Sequence, residues 1–408
     1  MVENFKQTEI GAIPHDWDVK NIVEFSTMKA RIGWQGLTVS EYLNRGDYFL
    51  ITGTDLVDGR IKWDTCHFVN KDRFTQDKNI QIKASDILIT KDGTIGKVAY
   101  VDSMTMPATL NSGVFVIRPK KEAYLPIFLF YIFNSSYFRD FLNKLVAGST
   151  ISHLYQKDFI TFNFPLPKTV AEQTAIATAL NDADALITQL EKLIAKKKAM
   201  KQGAMQELLK PKENWETKTL GEVSKFRRGT FPQPYGLDKW YDDNNGFPFI
   251  QVYDVDYNMK LKADTKRHIS EEAQKMSVFV EKGSILLTIQ GSIGRIAMTQ
   301  YDAYVDRTLL LFESYKIPFN KYFFMLLVYV LFEQEKQNAP GGTIKTITKQ
   351  VLANFNISYP NIKEQNHIAE ILSDMDIEIL RLEDKLEKLK QLKQGMMQSL
   401  LTGKIRLV

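Results

Sequence analysis

The chain has 408 residues, 44% of them hydrophobic and 25% charged, with a net charge of +5 and one cysteine, Cys66. That length asks for two or three domains, and the balance is that of a folded chain rather than a disordered one. A lone cysteine excludes an intramolecular disulfide and a thiolate metal cluster, which favours a cytoplasmic setting, while mild basicity permits nucleic-acid binding without requiring it.

The first residues, Met1-Val2-Glu3-Asn4-Phe5, lack the basic-then-apolar pattern of a signal peptide. Short β-like runs follow at 48–51, 86–90, 97–100 and 113–117, and Asp92-Gly93 between two of them predicts a hairpin. An aromatic helix is expected over 126–145, then a loop at Gly148, with Pro165-Leu166-Pro167 closing the domain. From Val170 to Leu209 there is no proline, and Ile176, Leu180, Ala183, Ile187, Leu190 and Ile194 recur at helical spacing. At 1.5 Å per residue this is a helix of ~55–60 Å. The apolar run from Tyr322 stops at Glu333, short of the ~20 residues that a bilayer requires. It reads as a buried helix, and no membrane partner is expected. Ile368, Leu372, Met375, Ile379, Leu382, Leu386 and Leu389 then mark a second long amphipathic helix.

The chain is written twice. Residues 87–99 return as 285–297, displaced by 198 positions, and Trp17 and Trp215 share that displacement. Gly148-Ser149-Thr150-Ile151 returns as Gly341-Gly342-Thr343-Ile344, displaced by 193. Glu172-Gln173-x-x-Ile176-Ala177 returns as Glu364-Gln365-x-x-Ile368-Ala369, and Lys201-Gln202-Gly203 as Lys393-Gln394-Gly395, each displaced by 192. Matches in one order with a slowly drifting offset mean one duplicated unit with altered loop lengths. The helical segments match closely, whereas 31–48 and 227–249 hardly match. The helices therefore share one task, and the globular parts perform two versions of another.

A helix that long cannot bury its apolar stripe on a small domain of its own. Two similar ones most simply pair as a coiled coil, and a domain lying between them in the chain favours an antiparallel pair. The expected fold is α+β: two mixed α/β globular domains joined by two long helices in an antiparallel coiled coil, with an internal pseudo-twofold. The expected divisions are 1–168 and 212–362 for the domains, 169–211 and 363–408 for the helices.

Lys91-Asp92-Gly93-Thr94-Ile95-Gly96-Lys97 is not a phosphate loop: two residues rather than four separate its glycines, and Val98 follows the lysine. A tight turn is the plain reading. Beyond it, such a turn can carry backbone N–H groups and side chains to DNA, which makes Lys91, Thr94 and Lys97, with Gln290, Ser292 and Arg295, candidate contacts. Ser149 and Thr150, and Thr343 and Lys345, are candidate phosphate contacts, against the alternative of an ordinary loop after a helix C-cap. In the divergent segments Arg31, Trp34 and Gln35, and Lys225, Arg227, Arg228 and Phe231, are either surface clusters or base readers, since Arg and Gln pair bidentately with guanine and adenine. The five histidines are scattered without metal-ligand spacing. There is no Asn/Asp-Pro-Pro-Tyr/Phe of adenine methyltransferases, no glycine-rich cofactor loop after a strand, and no Glu-x-Lys nuclease pair in both halves. A duplicated enzyme would repeat its acid, base or ligand set, and what repeats here is glycine turns and helix seams.

Residues 9–17 (Glu9 to Trp17), the turn at 87–97, Glu172-Gln173-x-x-Ile176-Ala177 and the ending Leu400-Leu401-Thr402-Gly403-Lys404-Ile405-Arg406-Leu407 together resemble the specificity subunit of type I restriction–modification systems, across essentially the whole chain. The resemblance implies two domains, each reading half of a bipartite site in double-stranded DNA, with the helices setting the unread spacer. It implies two methyltransferase subunits gripping the helices, for which Glu172, Gln173, Lys201, Gln202, Glu364, Gln365, Lys393 and Gln394 are the candidate contacts. No catalytic residue and no cofactor then belong to this chain. S-adenosylmethionine, ATP and magnesium are expected on the partner subunits, and ATP-driven restriction subunits are a further implied partner. The second half departs from the pattern, having Pro211-Lys212-Glu213-Asn214-Trp215 where the first has Ile13-Pro14-x-x-Trp17. Competing readings are the specificity subunit of a fused, type IIB-like restriction–methylation system, a coiled-coil scaffold that binds only protein, and a stand-alone enzyme.

Overall fold

The structure, a computed structural model, describes residues 5–148, 153–338 and 347–407. The chain divides into two compact units, residues 1–192 with 384–408, and residues 193–383. Both divisions fall inside long helices, Val170–Leu208 and Ile362–Leu400. Each unit is therefore one globular domain together with a stretch of each helix.

In the first unit a four-stranded antiparallel sheet has Ile87–Thr90 and Val114–Pro119 at its centre, flanked by Val98–Tyr100 and Ser26–Ala30. The central strands are buried over Ile87–Thr90 and Val114–Ile117, which explains their unbroken β-branched and apolar runs. A second sheet pairs Ala108–Leu110 in parallel with Phe49–Ile51, and the latter antiparallel with His67–Phe68. Leu88, Val114 and Val116 face that second sheet, whereas Ile87, Ile89, Phe115 and Ile117 face the helices, the alternation expected of a strand.

The predicted turn at 91–97 joins Ile87–Thr90 to Val98–Tyr100. Thr90 shapes it, its hydroxyl donating to Thr94 O (2.5 Å) and accepting from Lys97 N–H (2.9 Å). Gly96 has φ +82°, and a Cβ there would meet Leu142 Cδ1 at 2.4 Å, so only glycine fits. The aromatic helix is two helices, Pro126–Phe133 and Ser136–Gly148. Asn134 Nδ2 donates back to Phe130 O and the Ser135 hydroxyl to Ile132 O, side-chain bonds that compete with helix continuation. The second copy has Tyr329-Val330 at that place when the helix starts are aligned, and its helix Lys321–Asn338 runs on unbroken.

The second unit repeats the plan. Ile285–Thr288 and Leu309–Tyr315 lie between Ile296–Met298 and Ser224–Arg228. Phe247–Ile250 pairs in parallel with Ala303–Val305, and Arg267–Ile269 and Val278–Val280 flank them. The divergent stretch builds a small aromatic core of its own from Phe231, Trp240, Phe249 and Ile269.

Within each unit the two long helices run in opposite directions. In the first, Lys393 pairs with Asp184 and Lys390 with Glu191; in the second, Lys197 pairs with Glu378 and Lys201 with Asp376. Ile176, Leu180, Leu190 and Ile194, with Leu372 and Ile379, are buried. Among the described residues no helix is long and apolar enough to cross a membrane.

Candidate nucleic-acid interface and the helix anchors

Lys225, Arg227 and Arg228 are exposed on strand Ser224–Arg228, where Phe226 between them points inward. Strand alternation sets Lys225 and Arg227 outward and Arg228 is exposed at the strand's end, with Arg227 3.7 Å from Glu313. At the first turn Thr94 is exposed and Lys91 and Lys97 are half-buried; the Lys91 ammonium lies 5.5 Å from the Phe115 ring centre. At the second turn Gln290 and Ser292 are exposed. Arg295 instead turns onto its own domain, bonding Val255 O at 3.2 Å and stacking 3.8 Å from the Tyr257 ring. Ser149, Thr150, Thr343 and Lys345 lie outside the described residues, as does the side chain of Trp34.

Arg31 is placed where a base cannot be read. It is 1% exposed, and its guanidinium donates to Leu110 O (2.9 Å), Gln76 Oε1 (3.0 Å) and Thr109 Oγ1 (3.3 Å). Burial lowers its affinity for the proton, and these acceptors are what make the enclosed cation tolerable. Gln35 is also buried, and its carbonyl accepts from Arg31 at 3.4 Å. Phe231 belongs to the aromatic core. Arg31 and Gln35 are therefore structural side chains where base readers were expected.

The repeated helix motifs likewise turn inward. Glu172 and Gln173 are each 2% exposed and Gln365 is 1% exposed. Gln173 accepts from Leu125 N–H (2.8 Å) and donates to Pro167 O (2.9 Å). Gln365 does the same with Asn320 N–H (3.1 Å) and Pro360 O (2.9 Å). Each amide thus tethers the start of an aromatic helix to the loop that begins a long helix. Glu172 accepts from the Trp17 indole (3.3 Å) and Glu364 from the Trp215 indole (3.4 Å), so the paired tryptophans and glutamates of the repeat meet. Each glutamate also holds a cation that lies over the same indole: Arg406 in the first unit, which also grips Asp16, and Lys212 in the second. The Lys212 bond holds the Glu364 carboxyl below its ordinary range.

Lys201 and Lys393 are likewise committed within the chain. Lys393 bonds Asp184 at 2.5 Å and Lys201 bonds Asp376 at 2.6 Å. The same two aspartates accept from tyrosine hydroxyls, Asp184 from Tyr131 (3.0 Å) and Asp376 from Tyr322. Gln202 and Gln394 alone among the proposed partner contacts are exposed. Sequence reasoning missed Asp184, Asp376, Tyr131 and Tyr322. The aspartates stand 192 positions apart, like the lysines they bind, and that was a usable signal; the tyrosines come from different turns of their helices and gave none. Among the described residues no group of three His, Cys, Asp or Glu side chains could hold a metal ion.

Comparison with known proteins agrees with this duplicated plan. The family model for the type I restriction modification DNA specificity domain matches residues 14–199 and again 212–394. A putative type I restriction enzyme MjaX specificity subunit of Methanocaldococcus jannaschii is 26% identical, over 99% of this chain and 97% of its own. The EcoR124I/EcoR124II specificity subunit of Escherichia coli is 26% identical over 51% of this chain and 53% of its own. Among solved structures, the S subunit of a type I system from M. genitalium shares the fold with a TM-score of 0.60 at 15% identity, over 94% of this chain and 96% of that one. The two matched stretches take in both domains and most of both long helices, so the chain belongs to the type I restriction–modification DNA specificity family, as a non-catalytic specificity subunit with two recognition halves.

Proposed function

We propose that the chain reads a bipartite site in double-stranded DNA, one half with each domain, and directs two methyltransferase subunits to an adenine in each half. The carrying observation is the uneven divergence of the two copies. Both keep the same central four-stranded sheet and the same Trp–Glu, Gln and Lys–Asp anchors to the long helices, while 31–48 and 227–249 differ almost completely. A shared scaffold carrying unlike recognition segments suits one partner type used twice on two different half-sites.

In the second domain Lys225, Arg227 and Arg228 face outward for phosphate or base contact, with Gln290 and Ser292 as further candidates. In the first domain Lys91, Thr94 and Lys97 fill that part. Gln202 and Gln394 are the exposed helix residues offered to the partners. S-adenosylmethionine, ATP and magnesium are assigned to those partners, and restriction subunits are a further member of the assembly.

The test is genome-wide methylation mapping in cells carrying this chain with its modification subunit. A split motif with a modified adenine in each half is expected, and replacing residues 1–168 by the matching part of another specificity subunit should change one half only. A continuous motif, or a change in both halves, would overturn the reading.

A further inference from the structure

At each of the two Lys–Asp–Tyr clusters three elements meet at one polar point. In the first unit Asp184 of one long helix takes a bond from Tyr131 of the recognition domain and one from Lys393 of the other long helix. In the second unit Asp376 takes bonds from Tyr322 and Lys201. The surroundings are apolar: Tyr131 is 1% exposed in a core that includes Leu129, Phe130 and Leu180. Apolar contact is non-directional and tolerates a small rotation, whereas a hydrogen bond weakens steeply as its angle is lost. The cluster therefore adds, eleven residues or more along the long helix, to the Trp–Glu and Gln anchors in opposing turning of the domain on its helices.

The two tyrosines occupy different places in their helices. With Leu125 and Asn320 aligned, each donating its N–H to the repeated glutamine, Tyr131 is the sixth helical residue and Tyr322 the second. Residues three or four apart share a helix face, so the two hydroxyls reach equivalent aspartates from neighbouring turns. Simple inheritance of one position from the ancestral unit would not give that pattern. The contact has been kept while its donor moved.

We infer that Asp184, Tyr131 and Lys393, and in the other unit Asp376, Tyr322 and Lys201, are positioning residues that fix the number of base pairs tolerated between the half-sites. This rests on the bipartite reading proposed above. One added base pair moves a half-site by about 3.4 Å along the duplex and turns it by roughly 35°. A domain held by these two directional bonds as well as by the Trp–Glu and Gln anchors cannot follow that rotation without breaking them, and a domain that lacks them has fewer directional bonds to break.

The experiment compares the full chain with Tyr131→Phe and Lys393→Met, alone and together, each co-produced with the modification subunit. Methylation is read at matched DNA sites whose spacers are native, one base pair shorter and one base pair longer. The half-site sequences should stay the same. The ratio of methylation at altered spacers to that at the native spacer should rise about tenfold for the double substitution, as expected for losing a bond or two of ordinary net strength. Lys393→Arg, which keeps the bond to Asp184, should hold the native ratio. Tyr322→Phe with Lys201→Met repeats the test in the other unit, independently of how the first variant folds. An unchanged ratio beside a lowered melting temperature would overturn the inference and leave the bipartite reading intact. Failure of the wild-type chain to produce any split motif would overturn the reading itself.

Discussion

At the scale of single residues, amino-acid type was legible in the sequence and its surroundings were not. Arg31 and Arg228 look alike in the chain, each beside a glycine-containing divergent stretch. The pairing of Ala30 with Phe115 carries Arg31 past the sheet end into a pocket of carbonyls and hydroxyls, whereas Arg228 pairs with Leu310 on an exposed edge. No periodicity in the sequence announces that difference, because it depends on which strand lies next door. The two arginines therefore predict opposite phenotypes. Arg31→Ala should cost about 3 kcal/mol of unfolding free energy, since it strands buried acceptors and opens a cavity, and urea denaturation would measure it. Arg228→Ala should alter stability by less than about 0.5 kcal/mol. It should instead weaken DNA binding by the assembled complex, lowering the salt-dependence slope by about one if a phosphate contact is lost. Unchanged DNA affinity and salt dependence in Arg228→Ala would mean that the exposed strand edge is not the reading surface.

At the scale of elements, the long helices, the glycine turn and the buried helix at Lys321–Asn338 follow from patterns longer than any local ambiguity. About five to six turns of helical spacing have no competing reading, and a turn that occurs twice is not an accident. The purpose of the repeated Glu-Gln pair could not be read in this way. Recurrence says that a residue is constrained, and both a partner and a fold impose such constraint. Burial decides between them, and both glutamines are spent on backbone groups at the helix starts.

The Arg406 anchor has a pH dependence with a definite sign. The side-chain bond from Arg406 holds the Asp16 carboxyl below its ordinary range and raises the guanidinium's own affinity for its proton. A carboxylate whose folded-state pKa is depressed contributes fully above its unfolded value and loses that contribution as pH falls through the folded value. Arg406→Met should cost about 2 kcal/mol near neutrality, mainly by leaving the 2%-exposed Glu172 short of its cation. The gap between variant and wild type should narrow as pH falls below about 4. Urea midpoints of both proteins at pH 7 and pH 3 give the comparison, and a gap that widens on acidification would refute the assignment.

At the scale of the molecule, the order of the chain and the membership of the compact units disagree, with a mechanical consequence. The first domain is completed by residues nearly 400 positions from its start: Leu400 and Leu401 are 4% and 0% exposed in its core, and Arg406 closes on Asp16 and Glu172. A Cβ at Gly403 would lie 2.3 Å from Pro14 Cγ, so that segment packs directly against the opening strands. The second domain is completed by Met205, Leu209 and Lys212. These play the corresponding part but directly precede the domain they serve. Deleting residues 400–407 should therefore injure the domain farther away in sequence. The loss of two buried leucines and one buried ion pair is on the order of 5 kcal/mol or more, comparable to the whole stability of a typical domain. Hydrogen exchange would locate the damage. Amides of Pro126–Phe133 and of the central strands Ile87–Thr90 and Val114–Pro119 should lose protection, while those of Ile285–Thr288, Leu309–Tyr315 and Lys321–Asn338 keep theirs. Protection lost equally in both sets would show that the two units fold as one cooperative body, and the division of labour between them would have to be redrawn.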